Sequence, residues 1–389
     1  MSLFRPLFIF AAWLSMAFCL YGAIPSDWSA SSTYSKGDLV IHSGTTYQAQ
    51  QSVSAGVTPG TNTAFWKSLD DLSGSQVDPG SPPTSNPDAS EVSSLSDPGT
   101  PSSSDVKIVR VNVRGYIGTG DDMRILGFKL SGSADILLRG VGPALGDYGL
   151  TGLISDPTMK LYKYDNADDI TQGSTENTDA ANDDYTSNAN ASDIVSTGSS
   201  ITPVTTLRSV EAASLVALTS GFYTSWIWDK NNATGVGWAG VDMKDTSASA
   251  SFTHVSARGV VKPGDGAMFG GFEITGTAGN TRKIFIRGRG VSLSNWGVSG
   301  TMTDPFIRLY KYTDQAKTQS SLVTENDNYT SSSSSSSIAS YATSLMGASL
   351  DSKDPGMLLD LEPGYYTVIL ESNDGSTGNG WIGIDDVSE

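Results

Sequence analysis

Cysteine and histidine are nearly absent from this chain, and their scarcity removes several kinds of chemistry. The 389 residues include one cysteine, Cys19, and two histidines, His42 and His254. A disulfide needs two cysteines, while catalytic triads and zinc sites need histidines that converge with other ligands. No glycine-rich phosphate loop precedes a helical pattern. The sequence therefore predicts neither a cofactor nor a metal.

Basic residues are also in short supply. Lys and Arg number 24 against 41 Asp and Glu, which gives a formal net charge of −17. Phosphate backbones are bound by basic surfaces, so this balance argues against a nucleic-acid partner. Apolar residues make up 38% of the chain and glycines number 42. This composition favours many short strands joined by polar turns.

Long apolar runs are confined to the N-terminus. Arg5 precedes the apolar stretch 6–20, and the small residues Gly22 and Ala23 follow it. This is the layout of a secretory signal, and the stretch is too short for a membrane-spanning helix. Residues 1–23 are therefore predicted to be a signal peptide, and the protein to be secreted, with no membrane association after its removal.

Composition divides the rest of the chain. Residues 24–71 form an aromatic-rich block, and residues 72–105 consist almost entirely of Pro, Gly, Ser, Thr and Asp. Such a stretch cannot bury enough apolar surface to offset its conformational entropy, so a disordered linker is expected.

Beyond the linker the sequence repeats itself. Leu161-Tyr162-Lys163-Tyr164 recurs unchanged as Leu309-Tyr310-Lys311-Tyr312, and Trp238 corresponds to Trp381, so the offset runs from 143 (381 − 238) to 148 (309 − 161). Further matching pairs are Arg114-Gly115 with Arg258-Gly259, Gly127-Phe128 with Gly271-Phe272, and Arg139-Gly140 with Arg287-Gly288. Two homologous domains are predicted, 106–246 and 252–389.

Each copy is predicted to be a β-sandwich of jelly-roll type, so the fold class is all-β. Short β-rich runs are bounded by Gly, Asp and Pro, and no 3.6-residue apolar period persists between caps. The Ser-rich tract 331–337 is interpreted as a surface loop. Predicted strands are Val111–Val113, Met123–Leu130, Ile136–Arg139, Thr158–Tyr164, Lys283–Arg287 and Tyr365–Glu371.

The aromatic block carries the most specific pattern. It reads DWSASSTYSKGDLVIHSGTTYQAQ, followed after a short interval by GVTPGTNTAFWKSL. A small domain without disulfides needs its large side chains for a core, and a three-stranded sheet with a tight hairpin at Ser43-Gly44 is expected. The block resembles the chitin-binding type-3 modules, which are carbohydrate-binding module families 5 and 12. The paired copies resemble β-sandwich repeats of large secreted bacterial proteins of unknown role.

The resemblance implies binding through exposed aromatic rings that stack on sugar rings. Many relatives carry adjacent tryptophans where this chain has Gln50-Gln51, and others carry a Trp where it has Val57. Gln48 and Gln50 are considered as hydrogen-bond partners of the sugar. The candidate carbohydrate-binding rings that remain, each of which could instead be core, are Tyr34, Tyr47, Phe65 and Trp66.

A second aromatic platform is predicted in the first copy. Tyr223, Ser225 and Ile227 would face inward, so that Trp226 and Trp228 share the outer face of one strand, about 7 Å apart. The alternative is that both tryptophans are packed against other parts of the chain. In the turn regions, Asn182–Tyr185 and Asn326–Tyr329 could supply oxygen ligands to Ca²⁺, although ordinary acidic turns are favoured. Arg139 and Arg287 are expected to pair with an Asp of the same fold.

Taken together, these patterns predict a secreted, non-catalytic protein that binds a chitin- or cellulose-like polysaccharide. One alternative is a cell-surface adhesive or structural protein with the β-sandwiches as spacers. The other is a glycoside hydrolase, because the many Asp residues could supply the pair of carboxylates that such an enzyme needs.

Overall fold

The structure is a computed structural model, and it describes residues 26–35, 39–43, 45–49, 51–61, 64–68, 105–164, 173–201, 206–313, 319–346 and 349–388. The predicted signal peptide and linker lie outside these residues. Described residues from 26 to 68 form one small sheet, and those from 105 to 388 form a large β assembly. The protein is all-β, as the sequence predicts.

The small sheet has four strands in the order β1-β2-β3-β4, and β1 runs parallel to β2. The first strand has only two residues, so the expected three-stranded sheet gains a short extra edge. His42 pairs with Thr45, so β2 and β3 form a hairpin, and Ser43 after β2 has a φ of 53°. The predicted hairpin is thus confirmed. The strands are β1 Ser26–Asp27, β2 Leu39–His42, β3 Thr45–Ala49 and β4 Trp66–Ser68.

The large assembly contains sixteen strands, eight from each half of the chain. The first half contributes β5 Lys107–Ile117, β6 Arg124–Ser131, β7 Ala134–Val141, β8 Pro157–Tyr164, β9 Ser174–Asn182, β10 Ala212–Leu218, β11 Gly221–Asp229 and β12 Gly235–Met243. The second half contributes β13 Ser251–Val261, β14 Met268–Thr275, β15 Arg282–Arg289, β16 Pro305–Tyr312, β17 Ser320–Asn326, β18 Gly356–Leu361, β19 Gly364–Ser372 and β20 Gly378–Asp386. All the predicted strands are present.

The two halves exchange strands. Strand β5 pairs with β12 of its own half and with β14 of the other, while β13 pairs with β20 and with β6. The result is two rows of eight strands, ordered β10-β7-β12-β5-β14-β19-β16-β17 and β18-β15-β20-β13-β6-β11-β8-β9, which meet at the pair Ile108–Phe252. Each row therefore contains strands from both halves, a feature that the pattern within either half does not reveal. The boundaries 106–246 and 252–389 remain predictions.

One continuous hydrophobic core includes side chains from both rows. Phe128 belongs to this core, with its ring stacked on Tyr223 at 5.3 Å and edge-on to Phe252 at 5.6 Å. In the second half Phe272 stacks on Tyr366 at 5.2 Å. Both tyrosines also donate a hydrogen bond from the hydroxyl to the carbonyl four residues upstream, at 2.8 Å, which anchors the start of each strand.

A buried ion pair lies at the equivalent position of each half, between β7 and β12 in the first and between β15 and β20 in the second. Arg139 donates to Asp242 at 2.7 Å, and Arg287 lies 3.1 Å from Asp385. This confirms the predicted pairing of each arginine with an Asp. Burial alone would disfavour ionisation of Asp385, but Arg287 and His254 outweigh it and lower the pKa of that carboxyl.

Glycines make room for the indoles beside these arginines. A Cβ on Gly240 would lie 2.1 Å from Cη2 of Trp238, whose ring is 4.8 Å from the Arg139 guanidinium carbon. Gly383 and Trp381 repeat the arrangement, again at 2.1 Å. Only glycine fits beneath each folded-back indole.

Two α-helices correct the sequence analysis: α1, Ala191–Ser200, and α2, Ser335–Met346. The Ser-rich tract 331–337 is not simply a loop, because its last three residues begin α2. The helix forms because Ile338 and Ala342, four residues apart, are buried against Phe285. Short 3₁₀ helices occur at Gly120–Asp122, Pro143–Tyr148, Tyr185–Ser187, Gly264–Gly266, Val291–Trp296 and Tyr329–Ser331.

Candidate carbohydrate-binding site

Trp66 belongs to the core of the small sheet. It is 1% exposed, it lies opposite Ala49 on the neighbouring strand, and its indole N–H donates to the carbonyl of Val57 at 2.8 Å. A sealed ring offers no face to a sugar, so the prediction of Trp66 as a binding residue is corrected. The small domain has few other large side chains, and Trp66 is needed to hold it together.

The three other predicted rings surround this core and keep part of their surface in solvent. Tyr34 lies edge-on to Trp66, with ring centroids 5.2 Å apart, and its hydroxyl accepts from the backbone N–H of Ser29 at 2.6 Å. This hydrogen bond fixes the ring in place. Tyr34 therefore supports the domain as well as being available at its surface.

Tyr47 lies against a turn. A Cβ on Gly60, where φ is +83°, would be 2.8 Å from the Tyr47 hydroxyl. Pro59 beside it is buried, and Gly60 lies against the hydroxyl end of the tyrosine ring. Phe65 precedes β4 and packs on the core while remaining part-exposed. Tyr47 and Phe65 are therefore part-exposed rings that pack on the core of the small sheet.

Trp28 is a ring of the same segment that was not among the four predicted binding residues. It is part-exposed and makes an edge contact with His42, with centroids 4.9 Å apart. Its place at the start of the block, next to β1, gave no sign of this exposure. Gln50 and the side chain of Gln48, considered as hydrogen-bond partners of a sugar, lie outside the described residues.

The segment that carries these rings matches a known protein family. Residues 27–67 match carbohydrate-binding module family 5/12. The match begins at the last residue of β1, ends within β4 and includes all four predicted rings, so carbohydrate binding in general is supported for this part of the chain. We call residues 27–67 the module.

Similarity to known proteins outside the module is slight. No curated protein matches the chain. Among solved structures, a DUF4785 family protein from Legionella pneumophila is similar at 9% identity with a TM-score of 0.19. The match covers 71% of this chain and 63% of that structure. The β assembly must therefore be interpreted from its own residues.

In that assembly, Trp226 and Trp228 of β11 lie on one outer face, and both are part-exposed. Tyr223, Ser225 and Ile227, between and before them, are 2% exposed or less. The two tryptophans thus share a face as the alternation predicts, but Phe222 and Thr224 on that face are 0% exposed, so only its end at Trp226 and Trp228 reaches solvent. Binding by the two tryptophans remains a prediction.

The two acidic loops have structural duties. The Asn182 side chain accepts from the backbone N–H of Ala213 at 2.8 Å, and Asn326 accepts from Gly356 at the same distance. In both halves an asparagine thus ties the end of one edge strand to the start of the next. Among the residues that the structure describes, no group of three or more His, Cys, Asp or Glu could hold a metal ion.

Buried carboxylates elsewhere also serve the backbone. Glu211, fully buried, accepts from the N–H groups of Gly142 and Ala144 at 2.8 and 2.7 Å. These bonds favour the charged form, but burial outweighs them and raises the pKa of Glu211 to about 7. Asp354 is the corresponding acceptor in the second half, bound by Gly290 and Ser292. Their role is to hold the turns that follow β7 and β15.

An open groove of about 680 Å³ lies where the edge strands β9 and β10 approach each other. Asp179 is the one carboxylate in its lining, whereas glycoside hydrolysis requires two across the sugar. Asn188 and Asn190, which also line the groove, donate to the carbonyls of Ala213 and Leu215.

No helix among the described residues is long and apolar enough to cross a membrane.

Proposed function

We propose that this is a secreted, non-catalytic protein that binds an insoluble chitin- or cellulose-like polysaccharide through the module. The family match of residues 27–67 is the observation that carries the proposal. Secretion rests on the N-terminal signal pattern, and the repeat interpretation of 106–246 and 252–389 on the matching motifs.

The ring geometry supports this proposal. Sugars have apolar faces that stack on aromatic rings, and each such contact contributes about 1 kcal/mol beyond area burial. Tyr34, Tyr47 and Phe65 remain part-exposed around the buried Trp66. Because Tyr34 is held by Ser29, Tyr47 and Phe65 are the rings whose removal tests binding most directly. Together they would contribute about 2 kcal/mol, or a factor of about 30 in affinity.

The test is depletion of the full chain from solution by insoluble chitin and by cellulose. Tyr47→Ala and Phe65→Ala are each expected to weaken binding about fivefold. Tyr47→Phe, which keeps the ring, should bind as the unmodified protein does. Phe306→Ala removes a part-exposed ring of β16 that lies outside the module, and it is the matched control.

Unchanged depletion by the Tyr47→Ala, Phe65→Ala double variant would contradict binding through these rings. Release of reducing sugar during the incubation would favour the hydrolase alternative. If neither polysaccharide depletes the protein and no sugar is released, the adhesive or structural alternative is favoured.

A further inference from the structure

The outer face of β11 carries an aromatic cluster that the module does not explain. Trp226 and Trp228 share this face, and the ring of Tyr162 on the adjacent strand β8 lies 4.8 Å from Trp226. The Trp226 indole N–H donates to the hydroxyl of Thr224 at 3.0 Å, which orients the ring. We call Tyr162, Trp226 and Trp228 the platform.

Polar groups border the platform on its β8 side. Lys160 lies opposite Trp226 in the strand register and forms an ion pair with Glu176 of β9 at 3.0 Å. Lys160 and Glu176 are 40% and 30% exposed, so both can also reach a ligand. Rings beside accessible hydrogen-bonding groups are the combination that a sugar requires, since it has apolar faces and hydroxyl edges.

The second half shows that the fold does not require these tryptophans. Strand β19 pairs with β14 and β16 as β11 pairs with β6 and β8. Ile369 and Glu371 occupy on β19 the positions that Trp226 and Trp228 occupy on β11. Ile369 is 8% exposed, and Glu371 forms an ion pair with Arg308. In the equivalent strand, an aliphatic residue and an ion-paired glutamate thus take the places of the two tryptophans.

The ligand class follows from charge and from the rest of the chain. Nucleic acid also stacks on tryptophan, but the net charge of −17 opposes a polyanion. A neutral glycan meets no such repulsion. The module, on the same chain, would hold a polysaccharide nearby, so a second weak contact would act at high effective concentration.

We propose that the platform is a second contact site for a neutral polysaccharide, the same one that the module binds. This inference rests on the proposed function of the module. The platform alone would be weak, and its effect would appear as avidity of the full chain for an insoluble substrate.

The experiment transfers the residues of β19 to β11. In the full chain, Trp226→Ile with Trp228→Glu copies Ile369 and Glu371, and the new carboxylate would face Lys160 as Glu371 faces Arg308. Depletion by insoluble chitin and cellulose is compared for four proteins: the unmodified chain, this platform variant, the Tyr47→Ala, Phe65→Ala module variant, and the combination of both. We expect the platform variant to bind about tenfold more weakly and the combination to show no binding.

Two further measurements keep the test decisive. Trp226→Phe with Trp228→Phe retains both rings and should keep most of the affinity, which separates stacking from a change in fold. Urea unfolding of the platform variant should match that of the unmodified chain, because β19 already accommodates these residues. If the platform variant does unfold more easily, depletion is compared instead between Trp226→Phe with Trp228→Phe, which keeps both rings, and Trp226→Leu with Trp228→Leu, which removes them. Weaker depletion of the Leu pair alone would support stacking.

The platform variants and the module variant test separate proposals, binding by the platform and binding by the module. Unchanged depletion by every ring-removing platform variant overturns the second site, whatever the module variant does. Unchanged depletion by the module variant contradicts the proposed function instead, and loss of binding in the platform variant would then assign the glycan to the platform alone. Binding of the platform to a protein rather than to either polysaccharide would also overturn the inference.

Discussion

Replacing Asp242 by Asn should destabilise the β assembly far more than replacing Asp147, although each carboxylate forms an ion pair with an arginine. Arg139 and Asp242 are 3% and 5% exposed in their side chains, and their closest N–O distance is 2.7 Å. Arg208 and Asp147 are as close, at 2.6 Å, but are 49% and 58% exposed. The two pairs therefore differ in burial, and Asp242 also lies 4.0 Å from Nε of a second arginine, Arg110.

The magnitude follows from what is left behind. Without its anion, Arg139 stays charged between Trp238 and the sheet, where water cannot solvate it. Losing one partner of a buried pair costs about 3–5 kcal/mol. Arg208 would return to solvent, so Asp147→Asn should cost less than about 1 kcal/mol. Both follow from urea titrations monitored by circular dichroism, as differences in the free energy of unfolding.

A double variant tests the cause. Arg139→Leu with Asp242→Leu removes both charges, and its stability should lie closer to that of the unmodified chain than to that of Asp242→Asn. Equal destabilisation by Asp242→Asn and Asp147→Asn would refute the argument that burial determines the effect. A double variant less stable than Asp242→Asn would instead indicate that packing of Arg139 over Trp238 dominates.

Two other predictions concern stability. Burial raises the pKa of Glu211 from 4.5 to about 7, so this group stabilises the fold fully below pH 4.5 and loses about 3 kcal/mol of that contribution as pH rises through 7. The difference in unfolding free energy between the unmodified chain and Glu211→Gln should therefore shift against the unmodified chain from pH 5 to pH 8, and an unchanged difference would contradict this. Gly240→Ala should cost about 1–3 kcal/mol, because its Cβ would overlap the Trp238 indole. Its control is Gly198→Ala in α1, where the nearest atom is 3.9 Å away and the change should stabilise the helix; equal thermal shifts would contradict the packing argument.

The sequence predicts those features that depend on neighbouring residues. Alternation along β11 was enough to put Trp226 and Trp228 on one face, and the hairpin of β2 and β3 follows from the short interval between two β-rich runs. That Arg139 pairs with an Asp could be anticipated because a buried guanidinium requires a partner, but the identity of that partner, Asp242, depends on a strand 103 residues away. The first two inferences use a local rule that tertiary contacts did not override.

Features that depend on the rest of the fold were missed. The face of Trp66 that is sealed depends on Val40, Ala49 and Val53, which come from three other segments of the module. Helix α2 begins in a run of serines, which have modest helix propensity, and it is stabilised by packing of Ile338. In both cases the decisive contacts lie outside the window in which a pattern is recognised.

The strand exchange is the largest such feature, because the two halves offer nearly equivalent partners. Strand β5 could meet Gly127-Phe128 of its own half or Gly271-Phe272 of the other, and it pairs with the second. The environment of Arg124 gives a physical reason why strands of the first half pair with strands of the second half. Its guanidinium fits between Gly115 and Gly259, where a Cβ would approach within 2.6 and 2.8 Å, and it donates to the carbonyls of Tyr116 and Val260.

The corresponding residue of the second half is Met268, which is uncharged. Burial, together with nearby Arg258, lowers the pKa of Arg124 to about 9, so even one guanidinium is costly in this place. Pairing two first halves would bring two such charges to the same gap between glycines. Having methionine in place of the second arginine avoids that repulsion, and this favours pairing of a first half with a second half over pairing of two first halves.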